Sequence, residues 1–491
     1  MTTSNVSYVA LAAAIPLAFL INCGDDSDAS CEDKPGGCTT SSSSTSSSSS
    51  STGAGGEGSG GGGGAGGGSP SKCVADPAPA DIPSVVVDPV TGTAEIKSNV
   101  TLTRDKLWSL KNKVHVRAGA TLTIESCTTI QGDKATLGTL IVDPGAKIIA
   151  EGAADEPIVF TSAAPPGDRQ PGDWGGVILL GRAPINVPGG KANIEGLDPT
   201  AETQYGGDMP ADDSGILKYV RIEFSGILLS PNNEVNGLTF GGVGSGTTVE
   251  YVQVKSTLDD CFEFFGGTVH AKHLVCALNQ DDGFDWDFGY SGKLQFLVLQ
   301  QDPAYPDDTN GFESDNDAMG TTNMPISNPT IYNATLVGHD AAKQQYGWQP
   351  RRSTQGHIFN SIFMNFEACV DIRDANTKVE LTNSICFGNT ENIAYAETDP
   401  NNPDPVLKDD DNGLDEIAWF NDPARKNATT DPGLVKPLDI AAPDFRPAAT
   451  LTQNAATPPD DGFFDSTASY VGALKQDDTW MTGKWLSWAT N

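Results

Sequence analysis

The sequence predicts an all-β fold, a parallel β-helix solenoid in which short strands stack coil upon coil. The main evidence is a motif written twice with a step of 22 residues, DDCFEFFGG at 259–267 and DDGFDWDFG at 281–289. A third copy, NGFESDND at 310–317, follows after a longer step of 28 residues. A fixed period of this length, built from short β-prone runs and glycine turns, is typical of stacked solenoids.

Strand-like runs ahead of this motif extend the stack. Residues 114–124 are echoed by 140–149, and each copy reads as a strand, a Gly-Ala corner and a second strand. Further runs of β-branched and aromatic residues occur at 158–162, 219–224 and 237–242. Residues 163–215 are richer in proline, glycine and aspartate, and they are predicted to form loop excursions on one side of the solenoid.

The acidic residues of the three motif copies are predicted to share one face. Matched residues of neighbouring coils lie about 4.8 Å apart, and side chains alternate along a strand. If Phe262, Phe284 and Phe312 point inward, the residues that follow them point outward. Six carboxylates would then crowd onto three coils: Glu263, Asp285, Asp287, Glu313, Asp315 and Asp317.

This crowding has two readings. Like charges at that spacing repel by roughly 1 kcal/mol in water and by several times more at a protein surface. A divalent cation with oxygen ligands, for which Ca²⁺ is the natural candidate, would relieve the repulsion, and the six carboxylates are then the candidate metal ligands. The alternative is an acidic face that water and salt screen.

The net charge excludes two classes of partner. The chain of 491 residues has a formal net charge of −34, and its pI is about 4.2. This charge argues against nucleic acid as a partner and against peripheral binding to anionic lipid. It suits divalent cations and uncharged or cationic partners.

The cysteines predict disulfides. Nine are present, and eight remain when Cys23 is set aside. Cys261 and Cys276 have the same corner-to-next-coil placement as Cys369 and Cys386, which predicts one disulfide within each pair. Cys31 with Cys38, and Cys73 with Cys127, would complete the set, and buried free thiols are the alternative. Disulfides indicate an oxidising, extracytoplasmic compartment.

The N-terminus is predicted to export and anchor the protein. The apolar run 9–21 is too short to span a bilayer as a helix and fits a secretory signal. The junction Leu20-Ile21-Asn22-Cys23 resembles a bacterial lipoprotein signal, which implies lipidation at Cys23, although Asn22 stands where a small residue is usual. Residues 39–72 are a Ser/Thr run and a Gly run, typical of a flexible tether. We therefore expect an exported, lipid-anchored protein at the outer membrane or cell surface.

The predicted organisation has four parts. They are a signal peptide at 1–22, a tether at 23–72, the β-helix at 73–395 and a loop-rich C-terminal cap at 396–491.

Three features of the C-terminal part carry structural expectations. Asn333, Asn360 and Asn383 recur at steps of 27 and 23 residues, and stacked asparagines at a coil corner are expected to hydrogen-bond one another. Residues 414–420 read as a short amphipathic helix. The aromatic tail 463–488 is expected to cover the open end of the solenoid.

Several segments together resemble a family of secreted or lipid-anchored bacterial proteins with a pectate-lyase-like fold. They are VDPGAKIIAEG at 142–152, GDWGG at 172–176, NIEG at 193–196, GFESDN at 311–316 and the tail 463–488. The resemblance covers about residues 95–491. It implies a right-handed parallel β-helix and a surface location, and it implies no particular activity.

Enzymes of the wider superfamily suggest candidate catalytic residues. Polysaccharide lyases typically use Ca²⁺ to neutralise a uronate carboxylate and an Arg or Lys as the base. The candidate bases here are Arg221, Lys255, Lys293, Arg351 and Arg352. Polygalacturonase-like hydrolases carry paired aspartates and a Gly-His-Gly segment, which residues 281–282 and 338–340 match only in part.

The leading functional hypothesis is a protein that binds an extracellular polysaccharide or another cell-surface polymer, assisted by Ca²⁺. Trp348, in a predicted loop, is the candidate platform for a sugar ring, whereas Trp286 is expected in the core. Arg351 and Arg352 are candidate substrate contacts, and they are also expected to pair with the acidic coils. The alternatives are a lyase or hydrolase acting through the acidic coils, and a structural or adhesive surface protein.

Overall fold

The structure is a computed structural model that describes part of the chain. The described residues are 73–88, 93–197, 199–201, 203–228, 235–305, 309–339, 345–397, 399–403, 407–489 and 491. The predicted signal peptide 1–22 and tether 23–72, with the lipidation site Cys23 and the pair Cys31 and Cys38, lie outside them. No helix among these residues is both long and apolar enough to cross a bilayer.

The described residues form 31 strands, one short α-helix and one 3₁₀ turn at Lys134–Thr136. Along the chain the strands are β1 (Ala78–Asp81), β2 (Val85–Val87), β3 (Ala94–Ile96), β4 (Val100–Leu102), β5 (Lys106–Leu110), β6 (Lys113–Val116), β7 (Thr121–Ile124), β8 (Thr129–Gly132), β9 (Thr139–Val142), β10 (Lys147–Glu151), β11 (Ile158–Ser162), β12 (Val177–Leu180), β13 (Ala192–Asn193), β14 (Gln204–Tyr205), β15 (Gly215–Glu223), β16 (Leu238–Gly241), β17 (Thr248–Lys255), β18 (Phe262–Phe265), β19 (His270–Ala277), β20 (Phe284–Asp287), β21 (Lys293–Gln300), β22 (Phe312–Ser314), β23 (Thr330–Val337), β24 (Tyr346–Pro350), β25 (Gln355–Phe359), β26 (Ile362–Met364), β27 (Ala368–Val370), β28 (Lys378–Thr382), β29 (Ile385–Phe387), β30 (Leu434–Lys436) and β31 (Asp444–Pro447). The helix, α1, spans Glu416–Phe420.

Two long sheets confirm the right-handed parallel β-helix. Sheet 2 has eleven strands in the order β2-β3-β6-β9-β12-β16-β18-β20-β22-β24-β27, and sheet 1 contains the other sixteen strands of the solenoid. Apart from the antiparallel β2–β3 pair, neighbouring strands of both sheets run parallel. Each central coil gives one short strand to sheet 2 and one longer strand to sheet 1, as β18 and β19 do.

The inward residues of sheet 2 form a stacked aromatic core, as the motif predicted. Phe262 pairs with Phe284, and Phe284 with Phe312, in register. The rings of Phe262 and Phe284 stack with centroids 5.3 Å apart. Trp286 is fully buried, which confirms its assignment to the core.

Trp348 corrects the prediction of an exposed aromatic platform. The segment read as a loop is β24, in which Trp348 pairs with Phe312 and therefore points inward. The indole is fully buried, and its Nε1 donates to Ser314 Oγ at 2.9 Å. Trp348 therefore cannot stack on a ligand from outside.

A column of residues in the left-handed region bends each coil of sheet 1. Its members have φ between 51° and 61° and occupy matched positions in seven coils: Tyr219, Tyr251, His273, Phe296, Asn333, Asn360 and Asn383. Asparagine tolerates this conformation better than most residues, which explains the repeated Asn. The aromatic members stack on one another, with 4.1 Å between the ring centroids of Tyr251 and His273.

The asparagines of this column bind the C-terminal tail instead of one another. The amide of Asn333 donates to Tyr470 O at 2.7 Å, that of Asn360 to Ala456 O at 2.8 Å, and that of Asn383 to Asn454 O at 2.6 Å. The expected asparagine ladder is therefore wrong in its bonding, because the tail supplies backbone carbonyls at the same corner.

The tail runs along the side of sheet 1, which corrects the expectation that it caps the open end. Trp485 is fully buried against Tyr219 and Tyr251, and its backbone N–H donates to Ala154 O at 2.9 Å. The last coil is covered instead by α1 and the segment after it, where Phe420 joins the core and Ala428 bridges to Ile385.

Three disulfides fasten the coils. They join Cys73 to Cys127, Cys261 to Cys276 and Cys369 to Cys386, the pairs that the sequence predicted. The second and third each link a sheet 2 coil to the sheet 1 strand that follows it.

The excursion between β12 and β15 shapes the surface beside the acidic coils. It contributes the β13–β14 hairpin, and Ile185, Ile194 and Tyr205 pack with Phe265 and Phe288 on the outer face of sheet 2. This packing covers the apolar first part of that face and leaves the acidic coils at its edge. The region predicted as loops, 163–215, also contains β12, a strand of sheet 2 itself.

Candidate functional site

Backbone register places the predicted acidic column on the outer face of sheet 2. Glu263 pairs with Asp285, and Asp285 with Glu313, which in turn pairs with Gln349. Because each follows an inward aromatic residue, the four side chains point outward from adjacent coils.

A second row of acidic residues lies at the corner just before these strands. Asp260 and Asp282 occupy matched positions, followed by Asn310 in the next coil. Asp260 Oδ1 accepts from Asp282 N at 2.8 Å, Asp282 Oδ1 accepts from Asn310 N, and Asn310 Oδ1 accepts from Tyr346 N at 3.0 Å. One oxygen of each corner carboxylate therefore holds the next coil, and the other remains on the acidic side.

The two rows bring carboxylate oxygens close enough to share a cation. Three groups have one oxygen per residue within 4.8 Å of the others: Asp259, Asp260 and Asp281; Asp260, Glu263 and Asp285; and Asp282, Asp285 and Glu313. The groups overlap, so the row is continuous over three coils. We name these seven carboxylates the acidic row.

Burial and mutual repulsion raise the pKa values along the acidic row. The pKa values of Asp260, Glu263 and Asp285 lie well above those of exposed carboxyls, because burial penalises the charge and neighbouring carboxylates repel it. Burial also raises the pKa of Glu313, while Arg351 opposes the shift. A divalent cation would stabilise the ionised forms instead.

Asp285 shows that the donor set suits a cation. Its Oδ1 is buried and has no hydrogen-bond partner among the described residues. Glu263, by contrast, accepts a hydrogen bond from the amide of Asn236. The atoms that face one another here are carboxylate oxygens, the ligands that Ca²⁺ prefers. Asp285 with Asp260 and Glu263, or with Asp282 and Glu313, would hold the ion.

Arg351 and Arg352 lie at one end of the acidic row, as expected. Arg351 is buried, its Nε donates to Asp315 Oδ1 at 3.0 Å, and its Nη2 donates to Glu313. Arg352 is partly exposed and donates to Asp315 Oδ2 at 2.8 Å. Their proximity to the acidic coils is thereby shown, and only Arg352 presents part of its side chain to solvent.

Three of the six predicted ligands lie apart from the acidic row. Asp315 is bound by the two arginines, Asp287 Oδ1 accepts from the N–H of Phe288, and Asp317 caps its own loop by accepting from the N–H groups of Met319 and Thr321, each at 3.0 Å. The structure replaces them with the corner aspartates 259, 260, 281 and 282. The signal for these was present, because both pairs open the repeated motif at the same 22-residue step.

The other candidate bases are distant in the fold and already engaged. Arg221, Lys255 and Lys293 lie on strands of sheet 1. Arg221 binds Glu223 and the backbone of Lys484, Lys255 donates to Ala489 O, and Lys293 pairs with Asp461 at 2.6 Å. The tail therefore covers all three. In the hydrolase-like segment, His339 contacts Gln345, and Asp340 lies outside the described residues.

Comparison with known proteins gives the family. The sequence model of the pectate-lyase-like β-helix domain matches residues 94–412, which is more than half of the chain. The chain therefore belongs to this family, whose fold is compatible with binding polysaccharides or acting on them. Among curated proteins and solved structures, none matches the chain.

Proposed function

We propose that the protein binds an anionic polysaccharide on the outer face of sheet 2, with a Ca²⁺ ion held by the acidic row. The observation that carries the proposal is the buried, unpartnered Oδ1 of Asp285, between the carboxylates of Glu263 and Glu313 in the adjacent coils. An oxygen in this position has lost its hydration without gaining a donor, which costs free energy unless a ligand compensates.

The exposed atoms of the site suit an acidic polymer once the cation is bound. Asp259, Asp281, Asp285 and Glu313 are all partly exposed, and Arg352 lies beside them. A bound cation can take further oxygen ligands from a uronate carboxylate, because Ca²⁺ accepts six to eight oxygens. Arg352 then offers a second positive group to the same chain.

Binding is better supported than cleavage. A lyase needs a base within reach of the substrate, and the pKa of Arg351 is raised well above its usual range by Asp315 and Glu313 despite burial, so Arg351 stays protonated. A hydrolase of the inverting type needs carboxyls about 6.5–9.5 Å apart. Oxygens within each group of the acidic row lie within 4.8 Å, which suits shared ligation of a cation.

The proposal places the binding domain at the cell surface. Lipidation at Cys23 and the tether 23–72 would hold the β-helix away from the membrane, at the outer membrane or cell surface. The three disulfides support an exported protein. Display on a tether suits the capture of an extended polymer.

The test is calorimetric titration of Ca²⁺ into the full chain and into Asp285→Asn, followed by polygalacturonate and alginate with and without Ca²⁺. We expect saturable polymer binding that requires Ca²⁺ and is weakened about tenfold or more in the variant. Asp317→Asn is the matched control, because Asp317 is acidic and nearby but caps its own loop.

Two results would overturn the proposal. Polymer binding that is unchanged in EDTA, or no polymer binding at all, would favour the structural or adhesive alternative. Release of unsaturated sugar products that absorb ultraviolet light would establish a lyase instead.

A further inference from the structure

A second group of buried carboxylates lies where the C-terminal segment closes the last coil. Asp371 follows β27, Glu397 lies in the loop that leaves the solenoid, and Glu416 is the first residue of α1. One oxygen from each lies within 4.8 Å of the others. Three separate segments of the chain therefore meet at this point.

Four oxygens around this group are buried without a hydrogen-bond partner among the described residues. They are Glu397 Oε2, Asp410 Oδ1, Asp411 Oδ2 and Glu416 Oε1. Glu416 is 3% exposed and Asp411 is 7% exposed, so water does not solvate these side chains freely. Asp411 has its other oxygen occupied by the N–H groups of Gly413 and Leu414, which fixes its orientation.

The charge of this group is poorly compensated. Arg373 donates from Nε to Asp371 Oδ2 at 3.0 Å and offsets one of the five carboxylates. Buried charges that are left without partners destabilise the folded state by several kcal/mol each. A divalent cation would remove this repulsion and provide a partner for each orphaned oxygen.

We propose that Asp371, Glu397 and Glu416, supported by Asp410 and Asp411, form a second Ca²⁺ site that fastens the C-terminal cap to the last coil. The site would join β27 to α1 through the ion, and so hold Phe420 in the core. It differs from an EF-hand loop, because Lys408 and Trp419 stand where such a loop has its first and twelfth ligands. Its ligands come from three segments instead of one.

The site is distinct from the acidic row. Asp371 follows Gln349 along the outward column of sheet 2, two coils beyond Glu313, which is about 10 Å at the usual strand spacing. Gln349 and the guanidinium groups of Arg351 and Arg373 lie between the two. Variants at one site can therefore be tested without changing ligands of the other.

The experiment is hydrogen exchange on the full chain with and without Ca²⁺, in wild type, Glu416→Gln and Asp285→Asn. We expect Ca²⁺ to slow exchange of the amides in 407–428 in wild type and in Asp285→Asn. Glu416→Gln should abolish this protection and weaken one class of Ca²⁺ binding by about tenfold or more in calorimetry. The protection does not depend on polysaccharide, so it can succeed where the proposed function fails.

Two outcomes would overturn this second site. One is wild-type exchange in 407–428 that Ca²⁺ leaves unchanged, and the other is protection that Asp285→Asn also loses. If Glu416→Gln does not fold, as judged by circular dichroism, Asp410→Asn replaces it, because Asp410 lies outside α1 and is partly exposed.

Discussion

Arg351 is bound by two carboxylates of the preceding coil, since its Nε donates to Asp315 at 3.0 Å and its Nη2 to Glu313. This pairing neutralises one end of the acidic row. Asp285, a coil further on, receives no hydrogen bond at Oδ1 from the described residues. The unpaired charge is therefore concentrated at Asp285, which is why the cation is proposed there.

Arg351→Met should strongly destabilise the protein in EDTA. Removing the guanidinium leaves Glu313 and Asp315 buried without their cationic partner, and breaking a buried ion pair in this way costs about 3–5 kcal/mol. Urea unfolding at pH 7 measures the change. Arg352→Met is the control, because Arg352 is more exposed and its loss should cost about 1 kcal/mol or less. Equal losses for both variants would contradict the role assigned to Arg351.

Asp285→Asn should have opposite effects in EDTA and in Ca²⁺. In EDTA the substitution removes a repelled charge, so we expect the free energy of unfolding to rise by about 1 kcal/mol. In saturating Ca²⁺ the wild type should become the more stable of the two, because it binds the ion and the variant does not. Thermal unfolding of both proteins in both buffers measures this reversal.

Asp317→Asn provides the comparison for that reversal. Asp317 accepts hydrogen bonds within its own loop, so its substitution should lower stability equally in EDTA and in Ca²⁺. If Asp285→Asn also lowered stability in EDTA, Asp285 would be a structural carboxylate and not a cation ligand.

Local repetition made most of the fold and half of the site predictable. The 22-residue step fixed the register of Phe262 with Phe284, and strand alternation then placed Glu263 and Asp285 outside. The same step contained Asp260 and Asp282, but their position at a corner, where alternation does not apply, hid their direction. The corner geometry became visible only with the coordinates.

Trp348 and the tail show what repetition could not predict. Trp348 stands in YGWQP, whose glycine and proline favour a loop, and its strand forms because β22 and β27 pair on either side of it. The tail carries no repeat, and its place beside Tyr219 and Asn360 depends on contacts between residues far apart in the sequence. Non-local contacts of this kind leave no local pattern.

Substitutions at Asn360 should separate the two reasons for its presence. Asn360 has φ of 52°, its amide donates to Ala456 O at 2.8 Å, and its Oδ1 accepts from Ala456 N at 2.7 Å. Asn360→Gly keeps the conformation and loses both bonds, so we expect a loss of about 1–2 kcal/mol. Asn360→Ala should lose about 1 kcal/mol more, because alanine is strained at positive φ.

Chemical denaturation measures these losses, and hydrogen exchange shows where they act. Exchange should accelerate in the tail near residue 456 in both variants. Equal stability of the glycine and alanine variants would show that the backbone at this corner relaxes.

His273 should make the protein sensitive to acid. Its ring stacks between Tyr251 and Phe296, with centroids 4.1 Å and 4.9 Å away, and Trp480 approaches its edge at 5.0 Å. Burial in this stack, with a smaller contribution from Lys272, lowers the pKa of His273 to about 3. The unfolded chain protonates a histidine near its ordinary pKa of about 6.5.

Between these two pKa values the unfolded state therefore binds a proton that the folded state does not, and stability falls as the pH drops. The loss is about 1.4 kcal/mol per pH unit, or roughly 2–3 kcal/mol from pH 6.5 to pH 4.5. His273→Phe keeps an aromatic ring in the stack and removes the titration, so its unfolding free energy should fall less over this range. The carboxylates titrate in both proteins, so the difference between the two curves isolates His273. Parallel curves would mean that the stack opens to admit the charged ring.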